Sequence, residues 1–315
     1  MTAVIPTVFR GAAAVRLVAG DYAATYVPSV GMLCASIEHR GDELLALAGG
    51  LDAYREGHTT GLPLLHPWAN RLGSREFKVA GQQVDLRRLP SSAAKLHTDA
   101  NGLPMHGTMA ARSEWEVVLL QAAERAAVMR ARFDFGAHDD LLASFPFPHR
   151  VELEVKVTED GVTVATTVRP TARRRVPVSF GYHPWFRLPG VRRQQVRLEL
   201  PSCTQVLLDR KGLPTGETEP HRAEAELLGD RSFDHLFAVG TDRRFAISGG
   251  GRRLVVQLEK GYGYAQVYAP EGQNVVCLEP MVAATNALVR GGCPDVKTGN
   301  SYLARFSIRV EPTES

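Results

Sequence analysis

The 315-residue sequence has few cysteines and no long apolar run. Cys34, Cys203, Cys277 and Cys293 form no CxxC pair, which leaves out a zinc-ribbon framework and a redox dithiol. Cysteines in strand-like or apolar surroundings act as small hydrophobes. No stretch of 18 apolar residues exists, so no helical membrane span is encoded. At the N-terminus, Pro6, Arg10 and Arg16 break up MTAVIPTVFRGAAAVRLVAG, which therefore lacks a signal-peptide core. A cytoplasmic protein is the expectation. An excess of one charge is also missing. Thirty-seven basic against 34 acidic residues give a net charge of +3, which argues for neither nucleic acid nor a membrane as partner. The densest basic run, Arg173-Arg174-Arg175, reads as a solvated turn. There is no Gly-rich phosphate loop, no linker and no domain-length repeat. LHPWANRL at 65–72 echoes GYHPWFRL at 181–188, but their surroundings do not follow.

What the chain does have is period-2 alternation. RVELEVKV at 150–157 sets Val151, Leu153, Val155 and Val157 on one face, and VTVATTV at 162–168 returns after Thr158-Glu159-Asp160-Gly161. This is an antiparallel hairpin signal. Trp115–Gln121 and Ala127–Phe135 form a second such pair, with Trp115 in the core. Further strands are expected at Ala14–Val18, Gln195–Leu200, Arg244–Ser248, Leu254–Glu259, Tyr264–Ala269, Asn274–Leu278 and Tyr302–Val310. Helical periodicity is scarce: a short helix is expected near Asp42–Leu47, and a turn or two near Asp139–Ser144. With 29 glycines and 19 prolines as punctuation, the class is all-β, a large antiparallel sandwich or barrel in one domain spanning 1–315.

Three of the ten histidines stand out by context: His66 in LLHPWANR, His106 in LPMHGTMA and His183 in GYHPWFRL. Each has Pro, Gly or Trp beside it, as at a strand end facing a cleft. A following proline pushes His66 and His183 toward extended backbone. Any one of them could equally be a buried ring bonded to a carbonyl. Glu279 follows the apolar NVVCL and precedes Pro280, so a position at or beside a strand end is expected. A glutamate there is either a structural ion pair or a general acid–base group, with an apolar setting raising its pKa. Asn70-Arg71 offers an amide and a guanidinium fork for hydroxyl oxygens. Trp68, Tyr182, Trp185 and Phe186 could stack on a sugar's C–H face, or pack in the core. Asp234 is an isolated acid in SFDHLF.

Six pieces in order resemble the aldose 1-epimerase (galactose mutarotase-like) family: NRLGSREFKVAG at 70–81, MHG at 105–107, FPFPHRVELEV at 145–155, GYHPWF at 181–186, FDHLF at 233–237 and VVCLEP at 275–280. The resemblance implies a large antiparallel β-sandwich with a cleft across one sheet. It matches Glu279 to the general base and His183 to the general acid. His106 matches the second active-site histidine, Arg71 after Asn70 the substrate-binding arginine, and Asp234 the acid that binds sugar hydroxyls. Trp185 and His66 join them as substrate-binding candidates, His66 without an equally firm counterpart. The chemistry implied is interconversion of aldose anomers, with a sugar as the only partner, no cofactor and no metal, in a monomer or homodimer. Gly107-Thr108, GYHPWF and MVAATNAL depart from galactose-active members, which leaves the sugar open.

Other readings carry their own signatures. A hexose-6-phosphate 1-epimerase needs cations for phosphate, for which Arg71, Arg75 and Arg187 are candidates. A non-catalytic sugar-binding module needs no matched acid and base. A cupin-type metal isomerase could use His66, His106, His183 and Glu279, although no HxH pair occurs. A glycosidase needs two facing carboxylates, and only Glu279, with Asp234 a poor second, fits.

Overall fold

In the computed structural model, which describes residues 1–313, the alternating segment becomes a hairpin. His149–Thr158 pairs with Gly161–Pro170 in unbroken antiparallel register, from His149 opposite Pro170 to Thr158 opposite Gly161. Val151, Leu153, Val155 and Val157 are all buried, each stabilising the fold by about 1.5–3 kcal/mol. Ala126–Asp134 and Glu116–Ala123 extend the sheet on one side, and Tyr302–Pro312, Arg252–Lys260, Arg244–Gly249, Arg197–Leu200 and Glu224–Leu227 on the other, making nine strands. Trp115, just before Glu116, is buried.

Two further sheets pack on this one. A five-stranded meander, Thr2–Phe9, Ala12–Ala19, Tyr22–Val27, Leu33–His39 and Asp42–Glu43, lies against its Glu116–Thr158 side. An eight-stranded sheet runs in the order Pro214–His221, Cys203–Leu208, Phe233–Ala238, Tyr264–Ala269, Val276–Met281, Gly181–Tyr182 and Leu64–Leu65, with Trp185–Phe186 also on Val276–Met281. The layers meet where Thr166 Oγ1 lies 2.6 Å from the Tyr182 hydroxyl and where the Tyr182 and Phe306 rings stand 5.1 Å apart. This is the antiparallel β-sandwich that the alternation implied.

Local readings differ in places. Asp42–Leu47 is not helical. Asp42–Glu43 pairs with Glu38–His39, Leu45 bridges Phe186, and the Glu43 carboxylate accepts from the Ile37 and Leu45 amides, which pins the segment extended. The helix comes later, at Gly50–Arg55, while Asp139–Leu142 is helical as the sequence suggested. Arg173, Arg174 and Arg175 occupy an exposed bend. Among the described residues, no helix is long and apolar enough to cross a membrane.

Candidate active site

Strand register decides which side chains meet. Gly181 pairs with Met281 and Trp185 with Cys277, which sets His183 opposite Glu279. Between those pairs His183-Pro184 leaves the ladder, as proline, lacking an N–H, must. On its other side Glu279 pairs with Gln266, and Asp234 on the next strand pairs with Tyr268. Tyr182 and Leu278 point into the core. Alternation therefore turns His183, Trp185, Glu279, Gln266 and Tyr268 to the outer face of the eight-stranded sheet. Glu279 is accordingly inside a strand, not at its end: Val276–Met281 continues through Pro280, which pairs with Ala265.

His183 Nε2 lies 3.4 Å from Glu279 Oε1, and both residues are buried. Burial pushes the Glu279 carboxyl well above the usual carboxylate range; the Asp234 charge adds to this and Arg71 opposes it. Burial likewise pushes His183 down to about 3, opposed by its own backbone carbonyl as acceptor and helped by the Arg71 charge. Desolvation of both groups favours their neutral forms, so the pair holds one proton. The Trp185 indole stacks on the His183 ring at 5.1 Å and 9°, fixing the plane of the imidazole.

Two turns wall the cleft. Asn70 and His106 both adopt left-handed backbone, at φ 56° and 62°, a conformation that few non-glycine residues hold without support. That support is mutual. The His106 amide donates to Asn70 O at 3.0 Å, and the Asn70 amide donates to His106 Nδ1 at 3.3 Å. His106 Nδ1 is therefore the unprotonated nitrogen and Nε2 carries the hydrogen. The His106 ring meets the His183 ring edge-on at 5.5 Å, and burial, followed by the nearby His183, holds it well below the usual imidazole range. The Arg71 fork is held on three edges: Nε donates to Asp99 Oδ2 at 3.0 Å, Nη1 to Asn70 Oδ1 at 2.9 Å, and Nη2 lies 3.5 Å from Asp234 Oδ2. Asp234 also accepts from Gln266 Nε2 at 2.5 Å.

Together these residues line a cleft of about 290 Å³, closed by His58, Thr59, Met105, Trp185 and Tyr268. It gathers Asn70, Arg71, His106, His183, Asp234, Glu279 and Trp185 as the sequence suggested. It does not gather His66. That ring lies in the core, its Nε2 2.7 Å from His149 Nε2, packed against Phe135 and Phe180. Its backbone carbonyl instead holds the amides of Thr108 and Met109, so it acts on the cleft only through the His106 turn. Trp68, Tyr182 and Phe186 are core residues too. Because His66 stands apart, a four-ligand metal set does not converge. Among the described residues, no group of three or more His, Cys, Asp or Glu side chains is placed to hold a metal.

Gln266, Tyr268, His58 and Thr59 were not singled out from the sequence. Tyr264–Ala269 reads there as a plain strand, and only register puts Gln266 beside Glu279. A larger hollow of about 430 Å³ lies on the outer side of the nine-stranded sheet. Its Arg130–Glu154 and Arg169–Glu152 groups are paired with one another and exposed, so nothing there is poised for acid–base work.

Residues 15–309 match the family model for aldose 1-epimerase. The chain belongs to the aldose 1-epimerase family. That places it among carbohydrate epimerases. No curated protein sequence matches it. Among solved structures, it is similar to a galactose mutarotase-like protein from Clostridium acetobutylicum, with a TM-score of 0.86, 20% identity and 99% of both chains covered. It is also similar to galactose 1-epimerase from Lactobacillus acidophilus, with a TM-score of 0.77, 12% identity, and 100% of this chain and 99% of that one covered. An aldose epimerase homologue from C. elegans gives 0.71, at 14% identity over all of both chains. At these identities the likeness is one of fold.

Proposed function

We propose that the protein is an aldose 1-epimerase that opens and recloses a free, uncharged aldose with Glu279 and His183. The observation that carries this reading is the 3.4 Å approach of His183 Nε2 to Glu279 Oε1 at the floor of the cleft. Opening a pyranose requires taking the proton from the anomeric hydroxyl while supplying one to the ring oxygen. A pair sharing one proton offers an acceptor and a donor together. When the shared proton passes from Glu279 to His183 across that contact, Glu279 as carboxylate takes the anomeric proton and His183 supplies one to the ring oxygen. The aldehyde rotates about C1–C2 and recloses on its other face with the roles reversed. The pair returns to its starting state without exchanging a proton with solvent. Each transfer contributes about 10²–10⁴-fold.

The rest of the cleft suits hydroxyl groups. Arg71 and Gln266 donate, Asp234 accepts, and His106 Nε2–H donates. The Gln266 Oε1, buried and without a partner, is free to accept. A volume of about 290 Å³ sits at the small end of ligand pockets and fits one sugar ring.

Charge favours a free sugar over its phosphate ester. Arg71 is already shared between Asp99 and Asp234. Arg75 donates to Gly102 O, and Arg187, exposed, does not line the cleft. A binding module without catalysis would have no reason to bury a glutamate beside a histidine, a costly arrangement for pure recognition. The test is anomer exchange of glucose, galactose and glucose 6-phosphate, followed by NMR. Faster exchange of free sugars with phosphate esters lagging supports the reading, and preference for the ester contradicts the substrate class.

A further inference from the structure

We propose that the tip of the hairpin formed by Cys203–Leu208 and Pro214–His221 positions Arg71, with Gly212 as the contact; the role in turnover rests on the aldose reading above. Gly212 is in left-handed backbone at φ 73°, and a Cβ built on it would stand 2.9 Å from Arg71 Nη1, 3.1 Å from Cζ and 3.3 Å from Nε. Bare backbone therefore lies against the guanidinium. Asp99, Asn70 and Asp234 hold the edges of that fork, and contacts on the edges alone leave the plane free to tilt. Gly212 closes one side.

The tip is itself rigid. The Asp209 carboxylate accepts from the Lys211 and Leu213 amides at 2.8 and 3.0 Å, and the Gly212 amide donates to Asp209 O at 2.9 Å. It is also docked. Leu213 sits over Gly73, where an added Cβ would meet Leu213 Cδ1 at 3.1 Å, and the Arg290 guanidinium donates to Pro214 O. A long arginine side chain loses much rotamer freedom when it binds. One that is ordered beforehand gives that affinity back to the ligand.

The test uses two matched glycines. Gly190 has φ 74° and open space around it, so Gly190→Ala carries the same backbone strain as Gly212→Ala without touching Arg71. Gly212→Ala is expected to raise KM about tenfold, equivalent to a weakened charged hydrogen bond, with kcat within about twofold. It should also shift the Arg71 Nε–H resonance, identified by its loss in Arg71→Lys. Gly190→Ala should do neither. If Gly212→Ala does not fold, Asp209→Ala, which loosens the tip, should shift the same resonance. A resonance that moves no further than in Gly190→Ala overturns the proposal. Should the wild type turn over no sugar, the aldose reading fails, and the resonance still decides whether the hairpin positions Arg71.

Discussion

His66 and His149 share one hydrogen, Nε2 to Nε2 at 2.7 Å. The sharing fixes both tautomers. His149 Nδ1 lies 2.6 Å from the Phe147 carbonyl, which can only accept, so Nδ1 carries a hydrogen. In the neutral ring His149 Nε2 then accepts from His66, whose own Nδ1 is buried without a partner. An added proton would place an N–H there with nothing to receive it.

Acid should therefore weaken the fold through this pair. Burial lowers His149 to about 4 and His66 well below its usual range, while both titrate near 6.5 in the unfolded chain. Below about pH 6.5 the unfolded chain binds protons that the folded one refuses, so stability falls as pH falls. Between pH 6.5 and 5.5 the loss is about 1 kcal/mol per ring. Urea unfolding at several pH values checks this. The double variant His66→Gln, His149→Gln should flatten the slope, and a slope parallel to the wild type would remove the pair as its cause.

The turn that carries His106 depends on a glycine. Gly107 has φ 72°, and a Cβ there would stand 2.1 Å from the His66 carbonyl oxygen. That collision is with backbone, so Gly107→Ala should destabilise by about 3–5 kcal/mol and displace His106. Gly102→Ala, at φ 75° with open space, should cost about 1 kcal/mol. Thermal unfolding of the two variants side by side distinguishes collision from strain.

Arg193 is a buried cation bonded to carbonyls alone: Gly229, Gln273, Arg231 and Ala269. Replacing it with methionine removes the donor from four carbonyls at once, of which that of Ala269 is buried and the others half-buried, and a buried acceptor left unpaired costs about 1–3 kcal/mol. Arg193→Met should lower the melting temperature markedly, and Arg193→Lys should restore only part of it, because an ammonium cannot span the same fork. Equal stability of the two variants would show that apolar packing, rather than the fork, is what matters there.

His149–Thr158 was legible in the sequence because only one of its faces is buried; Tyr264–Ala269, buried on both faces from Ala265 to Val267, was legible from the glycine and proline that flank it. Tyr22–Val27 was not, since it is buried on both faces and so does not alternate. Pro214–His221, PTGETEPH, is an exposed edge strand where two prolines are tolerated, and nothing in its composition signals pairing. In the site, residues with unusual neighbours, such as His183 and Glu279, were visible. Gln266 was hidden because its place depends on register with Val276–Met281. His66 misled because His-Pro-Trp reads the same at 66 and 183, while one ring turns to the core and the other to the cleft.

The account turns on Glu279 and His183 acting as a pair. The most direct test is the rate of anomer exchange, by NMR of freshly dissolved α-glucose and α-galactose, for the wild type, Glu279→Gln and His183→Asn, each shown to be folded. The account predicts fast exchange in the wild type and a loss of about 10²–10⁴-fold in either variant. Exchange that persists in both folded variants would contradict it.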